Sequence, residues 1–155
     1  SYVHTRVPLK SFINGLTGIT VETLKDAPPV EKVIKDFQEF VGSLPMVGYN
    51  AAKSDLPILA EHGLDYSLQY KVDLYDEAFE RRSSDLHGIA NLKLQTVASF
   101  LGFQGQSHNS LEDARMTARV YESFLESDQA RELLETESSL SNNPFGGLDL
   151  SQLFD

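Results

Sequence analysis

The chain has 155 residues, of which 41% are hydrophobic and 23% charged, a composition typical of one folded globular domain. No apolar run approaches the roughly 18 residues of a membrane span, and the absence of cysteine excludes disulfides, thiolate zinc sites and cysteine nucleophiles. A formal net charge of −10 at pH 7 should repel nucleic acid, so a function on nucleic acid requires bound cations that reverse the local field.

The first half of the chain is predicted to alternate strands and helices. Residues 2–7 alternate enough in hydrophobicity to predict a strand, and Thr20 is the predicted N-cap of a short helix. Apolar residues three and four apart predict a helix that starts at Val30, after paired prolines, and stops at Gly42. Residues 44–49 then predict a short buried strand. This alternation indicates an α/β domain.

The middle of the chain continues the same pattern. A short helix is predicted between Ser54, as its N-cap, and Gly63, as its end. Residues 70–72 predict a third strand, which leads into a helix over residues 73–82. Residues 92–101 predict another helix. Four of its side chains are assigned to the inner face: Leu94, Val97, Phe100 and Leu101.

The last clear helix is predicted to begin near Ser110. Its inner face is assigned to residues that recur at intervals of three and four: Leu111, Ala114, Ala118, Tyr121 and Leu125. Residues 1–127 are predicted as the folded domain, and residues 128–155 as a frayed helix and flexible tail, because apolar periodicity gives way to Ser, Asn and Gly. The apolar end of the tail, residues 148–155, either docks into a partner's groove or folds back on its own domain.

Asp113 is a candidate metal ligand with a structural alternative. It follows Ser110 by three residues, as in a helix capping box. It also shares a helical row with Thr117, Val120 and Phe124, which puts it at the edge of the buried face. A carboxylate turned inward needs a compensating charge, and a metal ion supplies one.

His108 and Asp55 are two further candidates. His108 lies in a polar loop, where a histidine is usually a surface residue, but beside a metal-binding carboxylate it could act as a general base. Asp55 follows a predicted strand and opens a helix, which suits an acid at a helix N-terminus as well as chemistry at a strand end. Arg115 and Arg119 are assigned to the outer face of the last helix, outside this site.

Two segments carry a family resemblance: "YNAAKSDLPIL" at residues 49–59 and "ANLKLQTVASFLGFQGQSHNSLEDARMTARVYESF" at residues 90–124. In order and spacing they resemble the second and third motifs of the DEDDh 3′–5′ exonucleases, and most closely those of the proofreading epsilon subunits of bacterial DNA polymerase III. The resemblance covers residues 2 to 126. It implies an α/β fold with an RNase H-like sheet flanked by helices.

The resemblance also implies a two-metal mechanism with Mg²⁺ or Mn²⁺. On this basis His108 is the general base, Asp113 is a direct metal ligand, and Asp55 completes the metal site. Four residues match family positions near the terminal nucleotide: Leu16, Thr17, Gly18 and Asn50.

Three departures from the family pattern bear on this interpretation. Asn50 and Asp55 are separated by one residue more than is usual in the family, with Ser54 in place of an aromatic residue. Tyr49 replaces a frequent histidine. The Asp-x-Glu pair of the family's first strand is absent from the sequence. We therefore expect the domain to be N-terminally incomplete, to lack the first two strands of the sheet, and to be weakly active or inactive alone.

The implied activity is removal of nucleoside monophosphates from single-stranded or frayed DNA 3′ ends, with RNA as a further substrate, in proofreading or repair. A DNA polymerase or a sliding clamp is the implied partner. The lack of cysteine and of a signal peptide favours the cytoplasm, and no membrane association is expected. The alternative is a non-catalytic module that binds nucleic acid or protein on a degenerate exonuclease fold.

Overall fold

The computed structural model describes residues 1–104 and 109–142, the side chains of the last three excepted. The elements in these ranges are α1 (Ser11–Thr17), α2 (Val21–Lys25), α3 (Val30–Val41), β1 (Met46–Gly48), α4 (Asp55–Glu61), β2 (Lys71–Asp73), α5 (Leu74–Glu80), a 3₁₀ turn (Arg81–Ser83), α6 (Leu94–Phe100) and α7 (Ser110–Asn142). None of the helices in the described ranges is both long enough and apolar enough to cross a membrane.

The two strands form a small parallel sheet. Val47 of β1 lies opposite Val72 of β2, and the Met46 N–H donates to the Tyr70 carbonyl oxygen at 2.9 Å, just before β2 begins. Parallel neighbours require a crossover connection, and α4 lies within the one that joins them. Both strands were predicted, but β1 is shorter than residues 44–49. It is also not buried as predicted, since Val47 is 37% and Leu44 is 64% exposed. The mixture of helices with a parallel sheet confirms the predicted α/β class.

Local sequence signals set the ends of the early helices. Thr20 and Thr23 cap α2 reciprocally: each side-chain oxygen accepts from the other residue's backbone N–H, at 3.1 and 3.3 Å. Pro29 directly precedes α3, and Gly42 ends it with a φ of +54°, in the region that glycine adopts without a steric penalty. The predicted cap at Thr20 and the predicted helix from Val30 are confirmed.

The prediction of a strand over residues 2–7 is wrong. This segment is assigned to no strand, and its residues 6 and 7 lie in a bend. The His4 N–H donates to the Pro28 carbonyl oxygen at 2.9 Å, and the His4 ring nitrogen Nδ1 lies 3.2 Å from the Leu24 carbonyl oxygen. The alternating pattern did not show that this backbone bonds to α2 and to the connection before α3.

The largest fully buried side chains come from different parts of the first unit: Leu74, Leu86, Val97 and Val120. Leu74 and Val97 belong to α5 and α6, and Val120 belongs to α7. The assignment of Val97 to the core is confirmed. The assignment of Phe100 is wrong, because α6 buries Val97 and Ala98 and leaves Phe100 exposed.

The buried face of α7 differs from the predicted one. Leu111 and Leu125, assigned to the core, are 57% and 40% exposed. The buried residues of this helix are Met116, Thr117, Val120 and Phe124. Thr117, Val120 and Phe124 recur at intervals of three and four, as the predicted set does, so periodicity alone could not choose between the two faces. The observed row is the one that Asp113 extends toward the helix N-terminus.

Two compact units divide the chain, Ser1–Tyr121 and a second that begins at Glu122. In the second unit, α7 continues, and the Arg131 guanidinium lies 3.4 Å from the Asp128 carboxylate. The predicted division at residue 127 stays a prediction. The apolar residues 148–155 lie outside the described part of the chain.

Candidate active site

The loop that follows β1 is tightly constrained and carries the candidate Asn50. Asn50 has a φ of +56°, a left-handed conformation that asparagine tolerates better than most residues. A Cβ atom added to Gly48 would collide with the Ala51 Cβ, so only glycine fits at the end of β1. The loop therefore folds back closely on the strand before α4 begins.

Asp73, the last residue of β2, holds this loop. Its carboxylate accepts the N–H groups of Asn50 at 2.6 Å and Ala52 at 3.2 Å. It also accepts the Tyr75 N–H at 3.1 Å, which caps α5. Hydrogen bonds from amides to a carboxylate are stronger than those between neutral groups. One side chain thus joins the C-terminal ends of both strands.

Tyr49 adds a second connection to the same loop. Its hydroxyl donates to the Leu92 carbonyl oxygen at 2.7 Å, and its ring meets the Tyr75 ring edge-on with centroids 6.2 Å apart. Burial raises the pKa of Tyr49 well above its ordinary value of 10.0, and Tyr75 and Asp73 raise that pKa further. The hydroxyl therefore remains a protonated donor at neutral pH.

Asp55 is the first residue of α4 and its side chain is exposed. The Ser54 hydroxyl lies 2.5 Å from the Asp55 Oδ2 atom and 2.8 Å from the Asn50 carbonyl oxygen. Ser54 is the N-cap residue of α4, as predicted, but its side chain makes no capping hydrogen bond to a helix N–H. The carboxylate at the start of α4 is favourably placed relative to the helix dipole.

Asp113 lies in the first turn of α7 and is half-buried. Capping of this helix is carried by Asn109, whose Oδ1 accepts the N–H groups of Leu111 at 3.0 Å and Glu112 at 3.3 Å. Glu112 pairs with the guanidinium of Arg115 at 2.6 Å, on the outer face to which Arg115 was assigned. The cap is thus accounted for without the Asp113 carboxylate, which weakens the structural alternative for Asp113.

The three candidate substrate contacts near the N-terminus lie at the end of α1. Gly18 adopts a φ of +70°, and its N–H donates to the Asn14 carbonyl oxygen at 2.8 Å. The Thr17 hydroxyl donates to the Ile13 carbonyl oxygen at 2.8 Å. Leu16 is exposed. The end of α1 therefore exposes the apolar side chain of Leu16 close to Gly18, which adopts a left-handed backbone.

The donor set is chemically right for Mg²⁺ or Mn²⁺ but small. Asp55 and Asp113 offer the carboxylate oxygens that these ions prefer. Within residues 1–104 and 109–142, however, three or more His, Asp or Glu side chains are nowhere grouped as a metal site. His108 lies outside the described residues. The convergence of Asp55, Asp113 and His108 stays a prediction.

Comparison with known proteins identifies the family. The RNase T family model, described as exonuclease, matches residues 1–121. The chain belongs to this exonuclease family. The resemblance to exonucleases predicted from the two motif segments is confirmed.

The relatives of this exonuclease domain are much longer proteins than the chain itself. The chain is 31% identical over 127 residues to the DNA polymerase III PolC-type of Caldanaerobacter subterraneus subsp. tengcongensis, covering 81% of this chain and 9% of that protein. Its identity to the PolC-type enzyme of Streptococcus sanguinis is 35% over 135 residues, covering 80% and 8%. For the Streptococcus pneumoniae enzyme the identity is 32% over 135 residues, with the same coverage. The chain therefore spans less than a tenth of each relative.

Sequence reasoning missed Asp73 and Tyr75 of the exonuclease domain. Asp73 was taken only as the start of a helix. One signal could have found it: Asp73 and Asn50 both lie just at or after the ends of predicted strands, and the ends of parallel neighbours meet at one edge of a sheet. Tyr75 has no such signal, because its contact with Tyr49 depends on the sheet register.

Proposed function

We propose that this exonuclease domain removes nucleoside monophosphates from DNA 3′ ends by metal-dependent hydrolysis in the 3′–5′ direction. The observation that carries the proposal is the match of residues 1–121 to an exonuclease family. The PolC-type DNA polymerase III relatives support a DNA substrate and a proofreading role beside a replicative polymerase. Such a role would place the domain in the cytoplasm. RNA is proposed as a second substrate.

We propose that the domain is an exonuclease of the DEDDh type. Asp55 and Asp113 then supply part of the ligand set for two divalent ions. Asp113 extends a buried row of α7 and is half-buried, where a carboxylate is destabilised unless a positive charge balances it. Bound Mg²⁺ or Mn²⁺ would supply that charge, activate a water and stabilise the leaving oxygen.

The remaining residues act on the water and on the terminal nucleotide. His108, two residues before Ser110 in the sequence, accepts the proton of the attacking water. The new P–O bond forms as the bond from phosphorus to the 3′-oxygen of the preceding nucleotide breaks, and a nucleoside monophosphate leaves. The exposed Leu16 side chain, beside the turn at Thr17 and Gly18, contacts the terminal base, and Asn50 contacts the substrate from the loop after β1.

The chain contains no Asp-x-Glu pair, and this limits the carboxylates that are available to bind metal ions. Two metal ions need more carboxylates than Asp55 and Asp113 provide. We therefore expect weak or absent cleavage by the chain alone. Restoring a strand that carries Asp-x-Glu, as the family pattern implies, should restore cleavage.

The test is gel analysis of a 5′-labelled single-stranded oligonucleotide with Mn²⁺. The chain with the Asp-x-Glu strand restored should give a ladder of shortened products, and the 155-residue chain should give little or none. A clean ladder from the chain alone would overturn the expectation of weak activity. No ladder from the restored protein would contradict the exonuclease proposal itself.

A second candidate function is favoured by one observation, the absence of the acidic pair. In that case the domain is a non-catalytic module that binds nucleic acid or protein, and residues 148–155 dock onto a partner such as a polymerase or a sliding clamp. Deletion of residues 148–155 should then abolish partner binding while the thermal unfolding of the domain is unchanged. Unchanged partner binding would contradict this docking role.

A further inference from the structure

Asp73 reaches from the end of β2 to the loop formed by residues 49–54. Its Oδ1 atom accepts the Asn50 N–H at 2.6 Å and the Tyr75 N–H at 3.1 Å, and its Oδ2 atom accepts the Ala52 N–H at 3.2 Å. Two of these donors lie more than 20 residues away in sequence. Both oxygens of a half-buried carboxylate are thus used on backbone groups, and two of the three groups belong to this loop.

The loop transmits this constraint to Asp55. The Asn50 carbonyl oxygen accepts the N–H groups of Lys53 and Ser54, both at 3.2 Å. The Ala51 carbonyl oxygen accepts the Leu56 N–H at 2.9 Å, in the first turn of α4. A continuous set of hydrogen bonds therefore runs from the residues that Asp73 holds to the start of the helix that carries Asp55.

The left-handed backbone at Asn50 explains why an external constraint is needed. A non-glycine residue with a φ of +56° is held in a sparsely populated region, which persists only when its surroundings fix it. Its N–H is fixed by Asp73, and its carbonyl is fixed by the turn. Without the carboxylate, the loop should sample the more common conformations.

We propose that Asp73 is a positioning residue: it holds residues 49–54 so that Asn50 and Asp55 keep the orientation that metal and substrate binding require. This inference rests on the proposed function. Asp73 touches no reacting atom in it and acts only through the Asn50 and Ala52 amides. The position requires two acceptor oxygens, and an asparagine would replace one of them with an NH₂ donor that faces a backbone N–H.

The first experiment measures the loop without any metal. Amide hydrogen exchange is followed by NMR in the full 155-residue chain for the wild type, Asp73→Asn and Asp76→Asn. Asp76 is the matched control, because it is an exposed acid in the first turn of α5 and loses the same charge. In Asp73→Asn, the Asn50 and Ala52 amides should exchange about 10-fold faster or more, as expected for a local opening. In Asp76→Asn they should not change.

A second variant separates positioning from the capping of α5. Asp73→Ser keeps an N-cap side chain for Tyr75 but is too short to reach the loop. It should therefore accelerate exchange at Asn50 and Ala52 and leave α5 protected. If Asp73→Asn does not fold, Asp73→Ser takes its place. Unchanged exchange at Asn50 in a folded Asp73 variant overturns the proposal.

The third readout is the position of Asp55 and its response to metal. The Asp55 amide and carbon shifts should move in both Asp73 variants, and the Mn²⁺ concentration that half-broadens the Asp55 amide should rise about 10-fold or more. Faster loop exchange with unmoved Asp55 shifts would make Asp73 merely structural and would overturn the proposal. If the wild type ignores Mn²⁺ while Asp55 still moves in the variants, the positioning stands and the proposed metal site fails.

Discussion

Tyr49 is the residue through which the loop after β1 is tied to the segment before α6. Its hydroxyl donates to the Leu92 carbonyl oxygen at 2.7 Å. Tyr49→Phe keeps the ring against Tyr75 and removes only this hydrogen bond. At pH 8 we expect the free energy of unfolding to fall by about 0.5–1.5 kcal/mol, measured by urea denaturation. Tyr70→Phe is the control, because the Tyr70 side chain is exposed and its removal of a hydroxyl should change little.

The same pair of variants predicts a pH dependence. Burial raises the pKa of Tyr49 in the folded chain above its ordinary value of 10.0. The stability that this shift contributes is fully present below pH 10 and is lost as pH rises through the folded-state pKa, because the unfolded chain releases the proton first. Wild type should therefore lose stability above pH 10 more steeply than Tyr49→Phe. Parallel stability curves for the two proteins would contradict the assignment.

His108 has a role that only turnover can test. In the protein with the Asp-x-Glu strand restored, His108→Ala should lower turnover by roughly 10²–10⁴-fold, as expected for the loss of a general base. The Mn²⁺ affinity should be nearly unchanged, because His108 is not proposed as a ligand. His87→Ala, an exposed histidine outside the predicted site, is the control. Unchanged turnover in His108→Ala would return this histidine to an ordinary surface role.

At the scale of the elements, α5 depends on the burial of its first residue. Leu74 is 0% exposed, whereas Leu68, in the connection before β2, is 96% exposed. Leu74→Ala should lower the free energy of unfolding by about 2–5 kcal/mol, because a cavity replaces a buried side chain. Leu68→Ala should change it by less than about 0.5 kcal/mol. Urea denaturation checks both, and equal effects would show that α5 is not fixed to the core as described.

Elements whose ends are set by nearby residues in the sequence were predictable. Features that depend on contacts with residues distant in sequence were not. The helix α3 begins after Pro29 and ends at Gly42, both of which act within a few residues. The buried face of α7 and the fate of residues 2–7 were mispredicted, because each depends on packing or bonding with residues distant in sequence. Periodicity supplies a set of candidate faces, and only tertiary contacts select one.

The same division applies to the candidate site. Asp113 was placed at the edge of the buried face because it shares a row with Val120, and that row is the buried one. Asp73 was missed, because its bonds to Asn50 and Ala52 join the ends of two strands. Helical phase is visible in a sequence, but the register of a sheet is not. The candidate ligands were therefore easier to find than the residue that holds their loop.

At the scale of the whole molecule, charge decides how the chain can meet its substrate. A net charge of −10 repels a polyanion such as DNA over distances up to about the Debye length, roughly 8 Å at physiological salt. Affinity for nucleic acid that depends on lysine and arginine should therefore be weak, and metal ions should supply the attraction. A chain of this charge that bound DNA tightly without metal would need a basic surface strong enough to outweigh the total.

This gives a prediction for the 155-residue chain. In EDTA, fluorescence anisotropy of a labelled single-stranded oligonucleotide should show a dissociation constant above about 10⁻⁴ M at physiological salt. Mn²⁺ should tighten binding about 10-fold or more, even without cleavage, because the ions reverse the local field. Asp113→Asn should abolish this gain. Asp65→Asn removes the same charge at an exposed position outside the predicted site and should preserve it. Equal loss in both variants would show that the total charge, and not a site at Asp113, governs binding.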